Sequence, residues 1–233
     1  MKELAAQFTL LLTVALGASV ALAHGDAPDV LLRTVTAEVT DLLKQELESR
    51  PADPARIAAL VESRILPLVD FGHMTQLAMA RNWRLATPEQ QKVLAEEFKT
   101  LLVRTYSPKL AQYRGETIDV KRMPAALLDA DATVRSEVNQ PGKARMALEY
   151  EMQETGGQWK IYDVKIGGEC LVNTYRDIFA EKVRSGGVDG LIKYLADGNR
   201  EGTSKLAAVT SSLQAKTWAL YAIIQNIFRG GQQ

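Results

Sequence analysis

The stretch Gln158–Phe179, QWKIYDVKIGGECLVNTYRDIF, decides the fold of this chain. From Trp159 to Ile166 most positions are aromatic or β-branched, which predicts a strand with both faces largely covered. Gly167 and Gly168 end that strand. From Leu171 onward the apolar residues recur at helical spacing, which predicts a helix with one buried face. A covered strand therefore continues into a helix across a two-glycine joint.

Asp163 is the charged residue of this predicted strand that has no evident access to solvent. It is either an acid-base group of an enzyme or a structural residue bonded to a backbone amide or to an arginine such as Arg176. The structural interpretation is preferred, because a buried carboxylate needs a partner in any fold.

Before this joint, the spacing of apolar residues changes after Gly115 from a period of 3.6 residues to a period of 2 residues. Three further strands are predicted, at 117–122, 131–139 and 143–153, and they are linked by short turn sequences. With 159–166 they make a four-stranded antiparallel meander.

Amphipathic helices are predicted before and after this sheet. Proline, capping residues and apolar stripes place them at 28–50, 54–66, 70–78, 87–114, 171–184 and 188–196. Thr87-Pro88-Glu89-Gln90 is a capping box that marks one helix start. The predicted fold class is therefore α+β, with helices covering one face of a curved sheet.

The first 23 residues have the pattern of a secretory signal peptide. Lys2 precedes an apolar core, and Ala21-Leu22-Ala23 suits a signal peptidase. We expect export and cleavage before His24. A retained membrane anchor is the alternative, but the apolar run is shorter than the roughly 20 residues that a span needs.

Charge and residue usage exclude several function classes. The chain has 28 basic and 28 acidic residues, so nucleic-acid binding lacks its usual electrostatic basis. A single cysteine, Cys170, can form neither an internal disulfide nor a cysteine zinc site. The sequence has no glycine-rich phosphate loop and no nucleophile elbow, and the isolated His73 is interpreted as a surface or packed residue.

Several motifs resemble one known family. They are WKIYDV, LVNTYRDIF and GVDGLI from Trp159 to Ile192, together with ATPEQQ at 86–91 and Tyr113-Arg114-Gly115. In their order along the chain, these motifs are similar to the MlaC, or toluene-tolerance, family of periplasmic phospholipid-binding proteins, over about residues 28 to 198. One departure precedes Trp83, where family members often carry a leucine-glycine pair and this chain has Ala80-Arg81-Asn82.

The resemblance implies a nuclear-transport-factor-like cone joined to a helical subdomain, with phospholipid tails inside and the head group outside. Periodicity alone does not separate a filled core from a cavity wall. The lipid-binding candidates are Phe71, Met74, Leu77, Phe98, Leu102, Tyr106, Met146, Leu148, Tyr150, Val172, Tyr175 and Phe179.

The function implied is a phospholipid shuttle between an inner-membrane ABC-type transporter complex and an outer-membrane lipoprotein complex, which would maintain outer-membrane lipid asymmetry. Such a carrier is a monomer that needs no cofactor or metal and catalyses no reaction. Two alternatives remain. One is an enzyme of the same fold that acts on a small apolar substrate through Asp163, and the other is a docking module that holds no ligand.

Three segments are therefore expected: a signal peptide at 1–23, a lipid-binding α+β domain at 24–200 and an amphipathic extension at 201–233. Within the extension, apolar residues recur at roughly helical spacing from 204 to 228. This helix packs on its own domain, lies on a membrane or contacts a transport partner. Packing on its own domain is the preferred interpretation, and the other two rest on Trp218, Tyr221 and Phe228, which together resemble an interfacial face.

Overall fold

The computed structural model describes residues 26–49, 53–110, 115–124, 130–139 and 144–201. The predicted signal peptide and nearly all of the predicted extension lie outside these residues. The helices are α1 (Pro28–Ser49), α2 (Pro54–Leu60), α3 (Phe71–Met79), α4 (Pro88–Leu110) and α5 (Leu171–Glu201). A π-helical turn (Val61–Ile65) and a 3-10 turn (Leu66–Leu68) follow α2, and a second 3-10 segment (Ala80–Leu85) follows α3. The strands are β1 (Thr117–Val120), β2 (Asp131–Asn139), β3 (Met146–Thr155), β4 (Gln158–Ile166) and β5 (Glu169–Cys170).

Side-chain caps explain where several helices begin. The Asp53 carboxylate accepts a hydrogen bond from the amide of Ala55 at the start of α2. At α4 the predicted capping box is confirmed. The Gln90 amide donates to the Thr87 hydroxyl at 3.2 Å, and the Thr87 amide donates to the Gln90 side chain at 2.9 Å.

The sheet is an antiparallel meander in the order β1-β2-β3-β4-β5, and the α+β fold class is confirmed. It has five strands rather than the predicted four. The additional strand pairs Lys165 with Cys170 and Ile166 with Glu169 across the two-glycine turn. Two residues are too few to show an alternating pattern, so this strand could not be predicted from residue spacing.

A β-bulge in β4 changes which side chains face inward. Glu151 pairs with Asp163 but the next residue, Met152, pairs with Ile161, so Tyr162 is the extra residue. Ile161 and Val164, three positions apart, consequently both pack toward the inner face of the sheet.

Within the described residues, two separate hydrophobic clusters stabilise the fold. The helical core joins α3, α4 and α5 and is centred on Phe98, whose ring meets Tyr175 and Phe179 edge-on at 4.9 and 5.0 Å. The sheet core is smaller and lies between the strands and the start of α1. Its buried members are Leu32, Val120, Ala132, Val134, Met152, Trp159 and Ile161.

The long helix α5 is interrupted where the sequence predicted a break. Its backbone is non-helical at Gly187, with φ of 68° and ψ of −170°. A side chain would be strained there, so glycine allows the chain to bend and continue as helix.

Asp163 fixes the joint between β4 and α5. Its carboxylate accepts hydrogen bonds from the amides of Val164 at 2.8 Å and Val172 at 3.1 Å, and the second of these lies in the first turn of α5. The expected backbone partner is confirmed. Arg176 is not that partner, because it donates to the carbonyl of Leu77. Burial raises the pKa of Asp163, and the two amide hydrogen bonds oppose this shift only in part.

The raised pKa of Asp163 predicts a defined pH dependence of stability. Because the folded state holds the proton more tightly, ionisation of Asp163 lowers the free energy of unfolding as pH rises from the ordinary aspartate pKa through the raised one. Asp163→Asn keeps an acceptor and removes this titration, so its stability relative to the natural protein should rise between about pH 4 and about pH 7. Asp163→Ala should cost about 1–3 kcal/mol. Urea denaturation at both pH values checks this, and a pH-independent difference for Asp163→Asn would contradict it.

Ala80, at the end of α3, has a backbone conformation that suits glycine. Its φ of 48° and ψ of −128° bring the Cβ atom too close to the backbone, a strain of about 1–3 kcal/mol. Ala80→Gly should therefore raise the free energy of unfolding by about 1 kcal/mol after the entropy of glycine is subtracted. Ala95→Gly, inside α4, is the control and should lower it by about 1 kcal/mol. Thermal melts of both variants test this, and equal losses of stability would argue against strain at Ala80.

Candidate functional site

A cavity of about 450 Å³ lies between the inner face of the sheet and the helices. This volume falls in the range of roughly 300–1,000 Å³ that is typical of ligand pockets. The cavity is bounded by α1, by the segment from the π-helical turn to the start of α3, by the C-terminal part of α4 and by four strands.

The strands supply one wall of the cavity. Alternation places every second side chain on the inner face. The bulge at Tyr162 shifts this alternation by one residue, so that Val164 and Ile166 at the end of β4 also face inward. The wall residues from β1 to β4 are Ile118, Val138, Met146, Leu148, Tyr150, Ile161, Val164 and Ile166.

Helices supply the opposite walls. The stripe of α1 that the sequence marks as amphipathic faces the cavity through Leu32, Val35, Thr36, Val39, Thr40 and Leu43. The other helical wall residues are Val61, Ile65, Leu66, Leu68, Val69, Phe71, Met74, Leu102, Val103, Tyr106, Ser107, Leu110 and Leu171, with Glu116 just before β1.

The structure divides the twelve predicted lipid-binding residues into two groups. Seven of them line the cavity, namely Phe71, Met74, Leu102, Tyr106, Met146, Leu148 and Tyr150. The other five, Leu77, Phe98, Val172, Tyr175 and Phe179, pack in or against the helical core. Lipid contact stays a prediction for all twelve, and the geometry places only the first group beside open space.

The twelve predicted residues include none of the cavity wall on α1 or in Val61–Val69. The apolar stripe of α1 was visible, but spacing does not tell a wall residue from a core residue. One further signal was the pair of prolines that bracket 54–67, because a short helix between prolines has an irregular end that can border a cavity.

Polar atoms make up only a small part of the cavity surface. The Tyr175 hydroxyl donates a hydrogen bond to the Tyr106 hydroxyl, so the polar tip of Tyr106 is satisfied by the helical core. Burial raises the pKa of Tyr106 to about 12 and also raises that of Tyr150. The side chains of Ser107 and Glu116 are more than nine-tenths buried. The cavity therefore presents a hydrocarbon surface almost throughout.

The candidate chemical groups lie elsewhere. Asp163 is occupied by two amides and does not line the cavity. His73 stacks on Tyr162, with ring centroids 4.5 Å apart. The Cys170 thiol is half-buried, and burial raises its pKa. In the part of the chain that the structure describes, no three His, Cys, Asp or Glu side chains converge on a possible metal position.

None of the helices within residues 26–201 combines the length and the apolar character that crossing a bilayer requires.

A phospholipid-binding protein from Ralstonia solanacearum, solved in complex with a phospholipid, is similar with a TM-score of 0.67 and 37% sequence identity. The match covers 74% of this chain and 97% of that one. The toluene tolerance protein ttg2D of Pseudomonas putida is 29% identical over 164 residues, which are 70% of this chain and 75% of that protein. The family model described as MlaC protein matches residues 33–197. The resemblance seen in the sequence motifs is thereby confirmed, and this chain belongs to the MlaC family.

Proposed function

We propose that this protein binds a phospholipid, with the acyl chains inside the cavity, and carries it through the periplasm between membrane complexes. The observation that carries the proposal is the apolar cavity between the sheet and the helices. Family membership supports it, as does the similar Ralstonia solanacearum protein that was solved with a phospholipid.

The hydrophobic effect gives such a carrier its purpose. At roughly 0.8 kcal/mol per methylene, the transfer of two acyl chains of about fifteen methylenes each from a bilayer into water costs on the order of 24 kcal/mol of free energy. Free diffusion of the lipid between membranes is therefore negligible. A hydrocarbon-lined cavity offsets most of this loss, and release remains feasible only if binding is not much tighter than the bilayer.

The proposed partners follow from this role. Lipid would pass between an inner-membrane ABC-type transporter complex and an outer-membrane lipoprotein complex, and the carrier itself would consume no ATP. Equal numbers of basic and acidic residues suit a protein that does not stay on an anionic membrane surface. Periplasmic location rests on the signal-peptide pattern of residues 1–23, with cleavage proposed before His24.

We assign lipid binding to the domain at 24–200 and treat 201–233 as an added segment. The match to the family model ends at residue 197, before this segment begins. We propose no enzymatic activity. The alternative enzyme would need a polar group in the cavity, and Asp163 is committed to the joint between β4 and α5.

Native mass spectrometry of protein purified without added lipid tests the proposal directly. We expect about one phospholipid per chain, because the sheet and the helices border one continuous apolar cavity, and denaturing extraction should identify it. A variant that ends at Glu201 should carry the same lipid if the extension is not part of the site. A chain that stays empty after incubation with phospholipid vesicles would overturn the proposed function.

Leu148→Trp tests whether the cavity is the binding site. Leu148 faces the cavity from β3, so the larger side chain should fill the space and leave roughly a tenth of the chains with lipid. Its neighbour Ala147 is exposed, and Ala147→Trp is the matched control with unchanged occupancy.

The mass of the bound species gives occupancy, and thermal melts confirm that both variants are folded. Equal lipid occupancy in the two variants would show that lipid binds outside the cavity.

A further inference from the structure

Two helical segments form part of the side of the cavity opposite the strands. They are α1 and the segment from α2 through the two short turns, Pro54–Leu68, and we call them the two legs. α1 faces the cavity through Val35 and Val39, and the second leg faces it through Val61 and Ile65. The line where the two legs meet is therefore a seam in the cavity wall.

Each leg is firmly attached to the sheet at one end. In α1 the buried Asp29 carboxylate accepts a hydrogen bond from the amide of Met123 at 3.3 Å, and Leu32 belongs to the sheet core. At the end of the second leg the Asp70 amide donates to the carbonyl of Ile161 at 2.8 Å. These attachments hold the base of each leg through buried or backbone groups.

Farther from these bases, the described contacts between the legs include two ion pairs at the surface. The Nη1 atom of Arg64 lies 2.8 Å from the Oε1 atom of Glu38. The Nη1 atom of Arg56 lies 3.3 Å from the Oε1 atom of Glu46. The side chains of Arg64 and Glu38 are 47% and 41% exposed, so solvent and salt screen their attraction. Pairs of this kind stabilise only weakly, and they can break without loss of the core.

The second leg changes helical geometry at the seam. Residues Val61–Ile65 form a π-helical turn and Leu66–Leu68 a 3-10 turn, so the regular α-helical hydrogen bonding stops at Leu60. Such turns occur often at functional sites and hinges. Here both turns contribute wall residues, so a small change in their geometry changes the width of the cavity.

Cavity size supplies the reason to open. About 450 Å³ lies in the lower half of the range of roughly 300–1,000 Å³ found for pockets that hold drug-sized ligands. A phospholipid with two long acyl chains is larger than such a ligand. The cavity is already partly open to solvent, but if the proposed function holds it has to widen to hold such a lipid.

We propose that acyl chains enter and leave through the seam between α1 and the π-helical turn, and that the Glu38–Arg64 ion pair is the latch of this gate. This inference rests on the proposed function and adds the route by which lipid exchanges. The sheet and the helical core stay fixed while the legs part.

A reversible cross-link across the seam tests the gate. In a Cys170→Ser background, Glu38→Cys and Arg64→Cys are joined by a cleavable bis-methanethiosulfonate reagent. Exchange of a fluorescent phospholipid with vesicles of phosphatidylethanolamine and phosphatidylglycerol should slow roughly ten-fold or more, and reductant should restore it. The control joins Asp41→Cys to Lys44→Cys, an ion-paired position within α1, and should leave the exchange rate unchanged.

The outcomes separate the gate from the proposed function. Unchanged exchange in the cross-linked protein, or equal slowing in the control, would overturn the gate while lipid binding stands. Absence of lipid uptake by the Cys170→Ser protein itself would overturn the proposed function, and the gate with it.

Removing the latch charges is a second, independent measurement. Glu38→Gln with Arg64→Gln should speed exchange by roughly two- to five-fold at low salt and abolish most of its salt dependence. Exchanging the two charges, Glu38→Arg with Arg64→Glu, should return the rate toward that of the natural protein. A neutral pair that exchanges lipid at the natural rate would count against the latch.

Discussion

The large side chains of the helical core pack against each other, and this leaves the inner face of the sheet partly uncovered. Phe98, Tyr175 and Phe179 meet edge-on within α4 and α5, so the largest aromatic side chains of these helices are spent on each other. In an ordinary two-layer domain they would fill the space over the strands. Here that space is closed by α1 and Val61–Val69, whose side chains border the gap without filling it. A cavity is thus built into the division of the apolar residues between two clusters.

The joint between β4 and α5 sets the position of the helical core relative to the sheet. Asp163 is fixed in a strand, and its carboxylate holds the amide of Val172 at the beginning of the helix. Because the same oxygen also binds the amide of Val164, the helix begins at a defined point beyond the two-glycine turn. Burial of this carboxyl group is unfavourable, but its hydrogen bonds orient α5, and with it the Phe98 cluster, relative to the cavity.

Much of the fold could be predicted from residue patterns, because its elements obey local rules. Proline and capping residues mark the start of α2 and α4, and alternation marks β2 to within its observed bounds. The two-residue β5 and the bulge at Tyr162 could not be predicted, since each depends on pairing with a partner strand. For the site, the residue pattern predicts which faces of the strands and helices are buried. It does not separate cavity residues from core residues, because both have the same spacing. Tyr106 lines the cavity while Tyr175, its hydrogen-bond partner, lies in the core.

The bulge at Tyr162 also determines how the gene for this protein can change in length. Upstream of the bulge Ile161 faces the cavity, and downstream Val164 and Ile166 do so only because one residue is left over. Loss of the codon for Tyr162 would remove the bulge and leave Val164 and Ile166 on the inner face, because the remaining residues of β4 would then alternate regularly. In a regular strand such as β2, loss of one residue would instead turn every later side chain to the other face. β4 can therefore shorten by one residue and still present the same side chains to the cavity.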